Sequence, residues 1–174
     1  MAKNNFSITN LHSLLDYDAR KFISAEIKLG TSLAKWIKDA SSLPLKAVLQ
    51  KYFDFVKQHV QMLEDFYVEE ELISLSYTNR VMQAFIEEAE DKLSNCAETQ
   101  IKDACLLASI QAINHFKIST YGTSAAFARA LGMEKQAAIF HDAEVNEKQI
   151  DDRLSQLAEH EINIKAKAPI ALTQ

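Results

Sequence analysis

Glycine and proline are nearly missing from this chain of 174 residues, which holds 3 Gly and 2 Pro. All-β and doubly wound folds need such residues in their many turns, so the scarcity favours helices joined by few connections. Cysteine is equally sparse. Cys96 and Cys105 stand without CxxC spacing, which speaks against a zinc site or a disulfide scaffold and for two packing or surface thiols in a reduced compartment. No apolar run approaches the ~18 residues of a membrane span, and the first seven residues contain no apolar signal core. A cytoplasmic protein that does not enter the membrane is therefore expected. There is also no excess of basic charge. A net charge of −5 argues against a nucleic-acid partner, which would call for clustered Lys and Arg. GxSxG, a phosphate-cradling glycine loop and HExxH are all absent, so the chemistries those motifs serve find no support.

What is present is apolar and periodic. Hydrophobic residues make up 48% and charged residues 25%, a balance that packs a core rather than staying disordered. One domain is expected over residues 9–161, followed by an extended or disordered tail over 162–174 that contains Pro169. A first helix is predicted from a cap at Asn10 to about Ala40, with Leu15, Phe22, Ala25/Glu26, Leu29, Leu33 and Trp36 on one face. Ser41 or Ser42 and then Pro44 open a second, whose face reads Val48, Tyr52, Phe55/Val56, His59, Leu63 and Phe66. The acidic run Glu69-Glu70-Glu71 opposes the helix dipole and marks its end as a solvated turn. Residues 73–77 read as a connection. A shorter helix follows from about Asn79 to Leu93, with Val81, Phe85, Ile86 and Ala89 on one side.

The third long helix begins near Thr99. Its face reads Ile101, Ala104/Cys105, Ala108, Gln111/Ala112, His115, Ile118, Gly122 and Ala125. Gly122, Ala125 and Ala126 would let a neighbouring helix come close, and Leu131-Gly132 supplies the stop. The fourth runs from Glu134 through Ala137, Phe140, Ala143/Glu144, Glu147, Ile150 and Leu154. The fold class is thus all-α, an antiparallel four-helix bundle with an additional short helix between its second and third long helices. Aromatic residues such as Trp36 and Tyr52 fall at helical spacing and read as core.

Each long helix carries a polar interruption: Glu26, His59, the pair Asn114–His115, and Glu147. A charge facing a bundle core is costly unless it is paired or bound to metal. Side chains meeting at one level of four helices are how bundle proteins build two-metal carboxylate sites.

Several stretches carry a family likeness: Phe85-Ile86-Glu87-Glu88-Ala89, then Lys102-Asp103-Ala104, then His115-Phe116-Lys117-Ile118-Ser119-Thr120-Tyr121-Gly122-Thr123. With Ser24-Ala25-Glu26 and Asn146-Glu147-Lys148-Gln149, in this order, the chain resembles the YciF/YciE-like ferritin-like proteins of bacteria over residues 9–157. The resemblance implies a ferritin-like bundle, often dimeric, associated with bacterial stress responses. It also implies where metal would bind: a carboxylate in the first helix, a carboxylate and a His or Gln in the second, a Glu beside the His of the third, and a Glu pair in the fourth. Glu26, His59 and Glu147 fit. The position one turn before His59 is Phe55, with Asp54 the nearest carboxylate. The Glu position before His115 is Asn114, a further acidic position is Lys117, and Asn146 stands beside Glu147.

A two-metal bundle site usually needs about four carboxylates and two histidines, whose negative charge neutralises the cations. Only Glu26, Glu147 and His59 are placed here, and Lys117 adds a positive charge. The expected reading is a degenerate site without catalytic residues or cofactor, in which Lys117, Asn114 and His59 satisfy the two glutamates. The alternative is a working iron or manganese site for ferroxidase, peroxide or storage chemistry. Two local alternatives remain open. Lys117 could snorkel to solvent, and His115 could be an ordinary buried histidine bonded to a backbone carbonyl. A homodimer is the expected assembly, and a helical adaptor docking through Glu69–Glu71 is a third reading.

Overall fold

A computed structural model describes residues 7–71 and 77–167. Five helices account for most of it: α1 (Leu11–Asp39), α2 (Leu43–Glu69), α3 (Arg80–Ser94), α4 (Thr99–Ala130) and α5 (Glu134–Leu157). Short connections between long helices impose antiparallel neighbours. α1, α2, α5 and α4 close a square in which each packs on the next, and α3 lies outside, against α1 and α4. This is the expected all-α four-helix bundle with its added short helix. Among the described residues no helix is long and apolar enough to cross a membrane.

Local chemistry sets the helix ends. Asn10 accepts from the Ser13 amide at 2.8 Å while the Ser13 hydroxyl accepts from the Asn10 amide at 3.1 Å, a reciprocal cap. Ser42 caps α2, with Pro44 in its first turn, and Asn79 caps α3. After α4 the chain turns through Gly132 at φ +72°, where a side chain would be strained.

The core runs the length of the bundle through residues such as Leu15, Leu29, Leu33, Leu49, Leu63, Leu107, Ile110 and Leu154. Each such side chain contributes roughly 1.5–3 kcal/mol by leaving water. Two polar ties position the frame around it. The Asp103 carboxylate of α4 accepts from the backbone amides of Ser41 and Ser42 at 2.8 Å each and from the Ser41 hydroxyl at 2.5 Å, pinning the α1–α2 corner. Glu90 of α3 accepts from the Trp36 indole at 2.7 Å and pairs with Lys35, seating α3 on α1.

Three sequence expectations are corrected. The buried face of α4 is not Ile101, Ala108, Ala112 and His115, which are exposed. It is Asp103, Leu106, Leu107, Ile110, Ile113, Asn114, Lys117, Tyr121, Ser124, Ala125 and Ala128. Apolar residues occur on nearly every side of α4, so the stripe in its sequence is weakly defined and the expected seam lies about one residue out of register. On α3, Met82 is buried in place of the expected Val81, which is 50% exposed. At the C-terminal end, the chain does not turn extended after 161. It continues through a π-helical turn (Ala158–Ile162) and a short helix, α6 (Asn163–Ala166). Ile162 is buried there, and Lys165 pairs with Glu161 at 2.8 Å, so the Ala/Lys-rich stretch keeps its helical preference. Residues 168–174 of the expected tail, and 73–76 of the expected connection, lie outside the described residues.

Candidate functional site: a buried polar layer

Midway along the bundle the four long helices each send charged or polar groups to one level. Glu26 comes from α1, His59 from α2, Asn114, Lys117 and Tyr121 from α4, and Glu147 from α5. Glu26, Asn114, Lys117 and Glu147 are wholly buried, and His59 is 2% exposed. On α4 the three residues follow the i, i+3, i+7 spacing of one helical stripe, so the helix that carries the cation also carries a hydrogen-bond donor on either side of it.

Lys117 is the hub. Its Nζ lies 2.6 Å from Glu147 Oε1 and 3.0 Å from Glu26 Oε2. These are ion pairs by proximity, since neither the ammonium nor those two oxygens has a partner in hydrogen-bond alignment. The same ammonium sits 4.6 Å from the centroid of the Tyr52 ring, a cation–π contact. The remaining carboxylate oxygens are hydrogen-bonded. Tyr121 donates its hydroxyl to Glu26 Oε1 at 2.6 Å, and Asn114 donates to Glu147 Oε2 at 2.7 Å and to the Glu147 carbonyl at 3.0 Å. His59 Nδ1 lies 3.4 Å from Glu147 Oε1 and 3.6 Å from Glu26 Oε1, and Nε2 faces the Asn146 amide at 3.5 Å.

The charges shift one another. Burial alone would push the Glu26 carboxyl up, but Lys117, His59 and Tyr121 together hold it below the ordinary value of 4.5. Burial would likewise push His59 down, yet the two carboxylates outweigh both burial and Lys117 and raise it above 6.5. Tyr52 and Tyr121 are driven well above 10, by burial first and the glutamate charges next, so both hydroxyls stay protonated.

The residues expected at a metal site thus meet only in part. Glu26, His59 and Glu147 do converge, each offering one donor atom with all three within 4.8 Å of one another. Asn114 and Lys117 join them beside the two glutamates, and the alternative in which Lys117 snorkels to solvent is overturned. His115 does not join them. It points outward, with its side chain 65% exposed and its Nε2 2.8 Å from Asp151, so the buried-histidine reading is overturned as well. Phe55 stacks on the His59 ring at 6.3 Å instead of supplying a ligand. Asp54 pairs with Lys57 at the surface. Glu144 is taken by Lys148 and His141, and the Glu69–Glu70 edge by Lys135, Gln136 and His12. Tyr52 and Tyr121 were not foreseen as members of the layer. The signal for Tyr121 was its position one turn after Lys117.

Such a donor set does not fit a two-metal centre. Two carboxylates and one histidine fall short of the ~four carboxylates and two histidines such centres use, and both carboxylates already face a lysine ammonium.

The chain can now be placed among known proteins. The family model described as Domain of unknown function (DUF892) matches residues 10–167. Protein YciF of Escherichia coli (strain K12) is 28% identical over 145 residues, covering 83% of this chain and 87% of that protein. The crystal structure of the E. coli stress protein YciF superposes with a TM-score of 0.84 at 25% identity, covering 92% of this chain and 100% of that one. The structure of YcfI from Rhodopseudomonas palustris gives a TM-score of 0.82 at 21% identity over 89% of this chain and 98% of the other.

Proposed function

The chain belongs to the DUF892 family of YciF-like proteins, and from that premise we propose that it is a non-catalytic ferritin-like bundle with a stress-associated role, its central layer held by a lysine in place of metal. The stress association comes from the description of its relative YciF as a stress protein. The observation that carries the metal-free reading is the position of Lys117 Nζ, 2.6 Å and 3.0 Å from the two glutamates that would otherwise be metal ligands. A fixed ammonium repels a divalent cation at that distance and removes the negative charge that would attract one.

Metal analysis of protein purified without chelator tests this reading. Iron and manganese well below one per chain are expected, and near-stoichiometric iron or manganese would overturn it. The convergence of Glu26, His59 and Glu147 supports one second reading, a working iron or manganese carboxylate protein with ferroxidase, peroxide or storage chemistry. The two readings also differ in Glu26→Gln, which alters only stability and its pH dependence under the first and abolishes metal uptake under the second. We further propose that the bundle acts as a cytoplasmic homodimer, which sedimentation velocity of the purified chain would test.

A further inference from the structure

Cys96 and Cys105 stand apart from the polar layer, and neither is used by it. Cys96 lies in the connection between α3 and α4, and Cys105 lies in the second turn of α4. Both are free and half-buried. Both line one open groove together with Glu88, Asp91, Lys92 and Ile101, and Cys96 neighbours Cys105 there. Two free cysteines lining one solvent-open groove are the minimal parts of a reversible dithiol. Disulfides of reducing compartments are mostly of this transient, redox-responsive kind.

We propose that Cys96 and Cys105 are a modification site for hydroperoxides, closing to an intrachain disulfide that staples the α3–α4 hairpin. The division of labour follows from their surroundings. Burial, with the neighbouring Cys96 sulfur, pushes the Cys105 thiol up, so it stays protonated and acts second. Cys96 sits outside the helices, in the connection before α4, and its thiol donates to the backbone carbonyl of Lys92 at 3.2 Å.

In the first step the Cys96 sulfur attacks the outer oxygen of ROOH. The O–O bond breaks, ROH leaves with the thiol proton, and Cys96 becomes a sulfenic acid. In the second, the Cys105 sulfur attacks that sulfenic sulfur, the S–O bond breaks, and water leaves with the Cys105 proton. Two thiols thereby give up two electrons to one hydroperoxide. The closed loop contains Asp103, which holds the Ser41–Ser42 corner, so the staple acts on the part of α4 that anchors α1 to α2. This inference does not depend on the metal-free reading of the core.

The test uses the full chain, reduced, desalted and treated with hydrogen peroxide. Loss of both thiols with a single Cys96–Cys105 crosslink in peptide mapping, reversed by dithiothreitol, is expected. Cys105→Ser should leave a sulfenic acid on Cys96 that dimedone traps. Three outcomes would overturn the proposal: crosslinks only between chains, both sulfurs carried to sulfinic acid, or both thiols unreacted at peroxide levels that oxidise free glutathione.

Discussion

Lys117 and Lys135 each bridge to a carboxylate on a neighbouring helix, yet the two pairs sit in opposite surroundings. Lys117 and its glutamates are wholly buried. Lys135 pairs with Glu69 at 2.5 Å, with side chains 66% and 39% exposed. Geometry does not separate them, because both are short. Water does. At the rim, water and salt re-solvate either charge once its partner is gone, so the pair is worth little. In the core nothing replaces a lost partner, so the layer is costly to break even where its net contribution to stability is small. The buried layer is better understood as fixing which residues of four helices meet than as a source of stability.

The strongest way to break that contrast is Lys117→Met, which keeps the volume and removes the charge. It leaves Glu26 and Glu147 without the ammonium that pairs them, and a loss of about 3–5 kcal/mol is expected in urea unfolding. Adding Glu26→Gln and Glu147→Gln to the same chain should recover much of the loss, since no stranded charge then remains. A loss below ~1 kcal/mol for the single substitution would show that water reaches the layer and that the contrast with the rim is false.

Next in size is Asp103→Ala. Its carboxylate accepts three hydrogen bonds at the α1–α2 corner and is 4% exposed. Hydrogen bonds to a charged acceptor contribute about 1.5–3 kcal/mol each and do not add fully, so a total of about 2–4 kcal/mol is expected. The carboxylate is buried while Ser41 is exposed and Ser42 half-buried, so a result between those for Lys117 and Lys135 would grade the effect by burial.

pH sharpens the comparison from a third side. His59 binds its proton more tightly in the fold than its unfolded value of 6.5, facing Glu26 of α1, Lys117 and Tyr121 of α4 and Glu147 of α5. Its contribution is therefore complete below pH 6.5 and is lost as pH rises through the higher folded value. Glu26 behaves oppositely. It is held below 4.5, so its contribution is present above that pH and is lost as pH falls through the lower folded value. The thermal midpoint should thus fall on both sides of a mildly acid optimum. His59→Asn should flatten the alkaline limb and leave the acid limb in place.

Much of this was legible in the sequence. Asn10, Ser42, Asn79 and Gly132 marked helix ends because capping and left-handed turns are local chemistry. Glu26, His59 and Glu147 could be found because each interrupts a clear apolar stripe on α1, α2 or α5. α4 was harder. With Ile101, Ala108, Ala112 and Ala126 exposed on the side opposite the buried Leu106, Leu107, Ile110 and Ile113, periodicity does not choose a face, and an error of one residue exchanged His115 for Asn114 at the core. The pairing of Lys117 with Glu26 and Glu147 was expected from the charge count across helices, not from the pattern of α4, since a lysine is buried only when carboxylates on other helices receive it. Tertiary pairing of that kind is not written in one helix.

The smallest expected effect belongs to Lys135→Ala. The ammonium reaches Glu69 from the start of α5, and Glu69 lies at the end of α2, where a negative side chain opposes the helix dipole. Removing Lys135 therefore loses a screened ion pair and unmasks a mildly unfavourable end charge, a cost of ~0–1 kcal/mol. Half-molar salt should erase it, because a Debye length of only a few ångströms then separates the partners electrostatically. The same salt should leave the Lys117→Met penalty nearly unchanged. A double-mutant cycle of Lys135→Ala with Glu69→Ala, run at low and high salt, measures the pair term directly. A coupling that survived high salt would mean that this rim pair is shielded from solvent as the core pair is, and the distinction drawn between the two regions would fail.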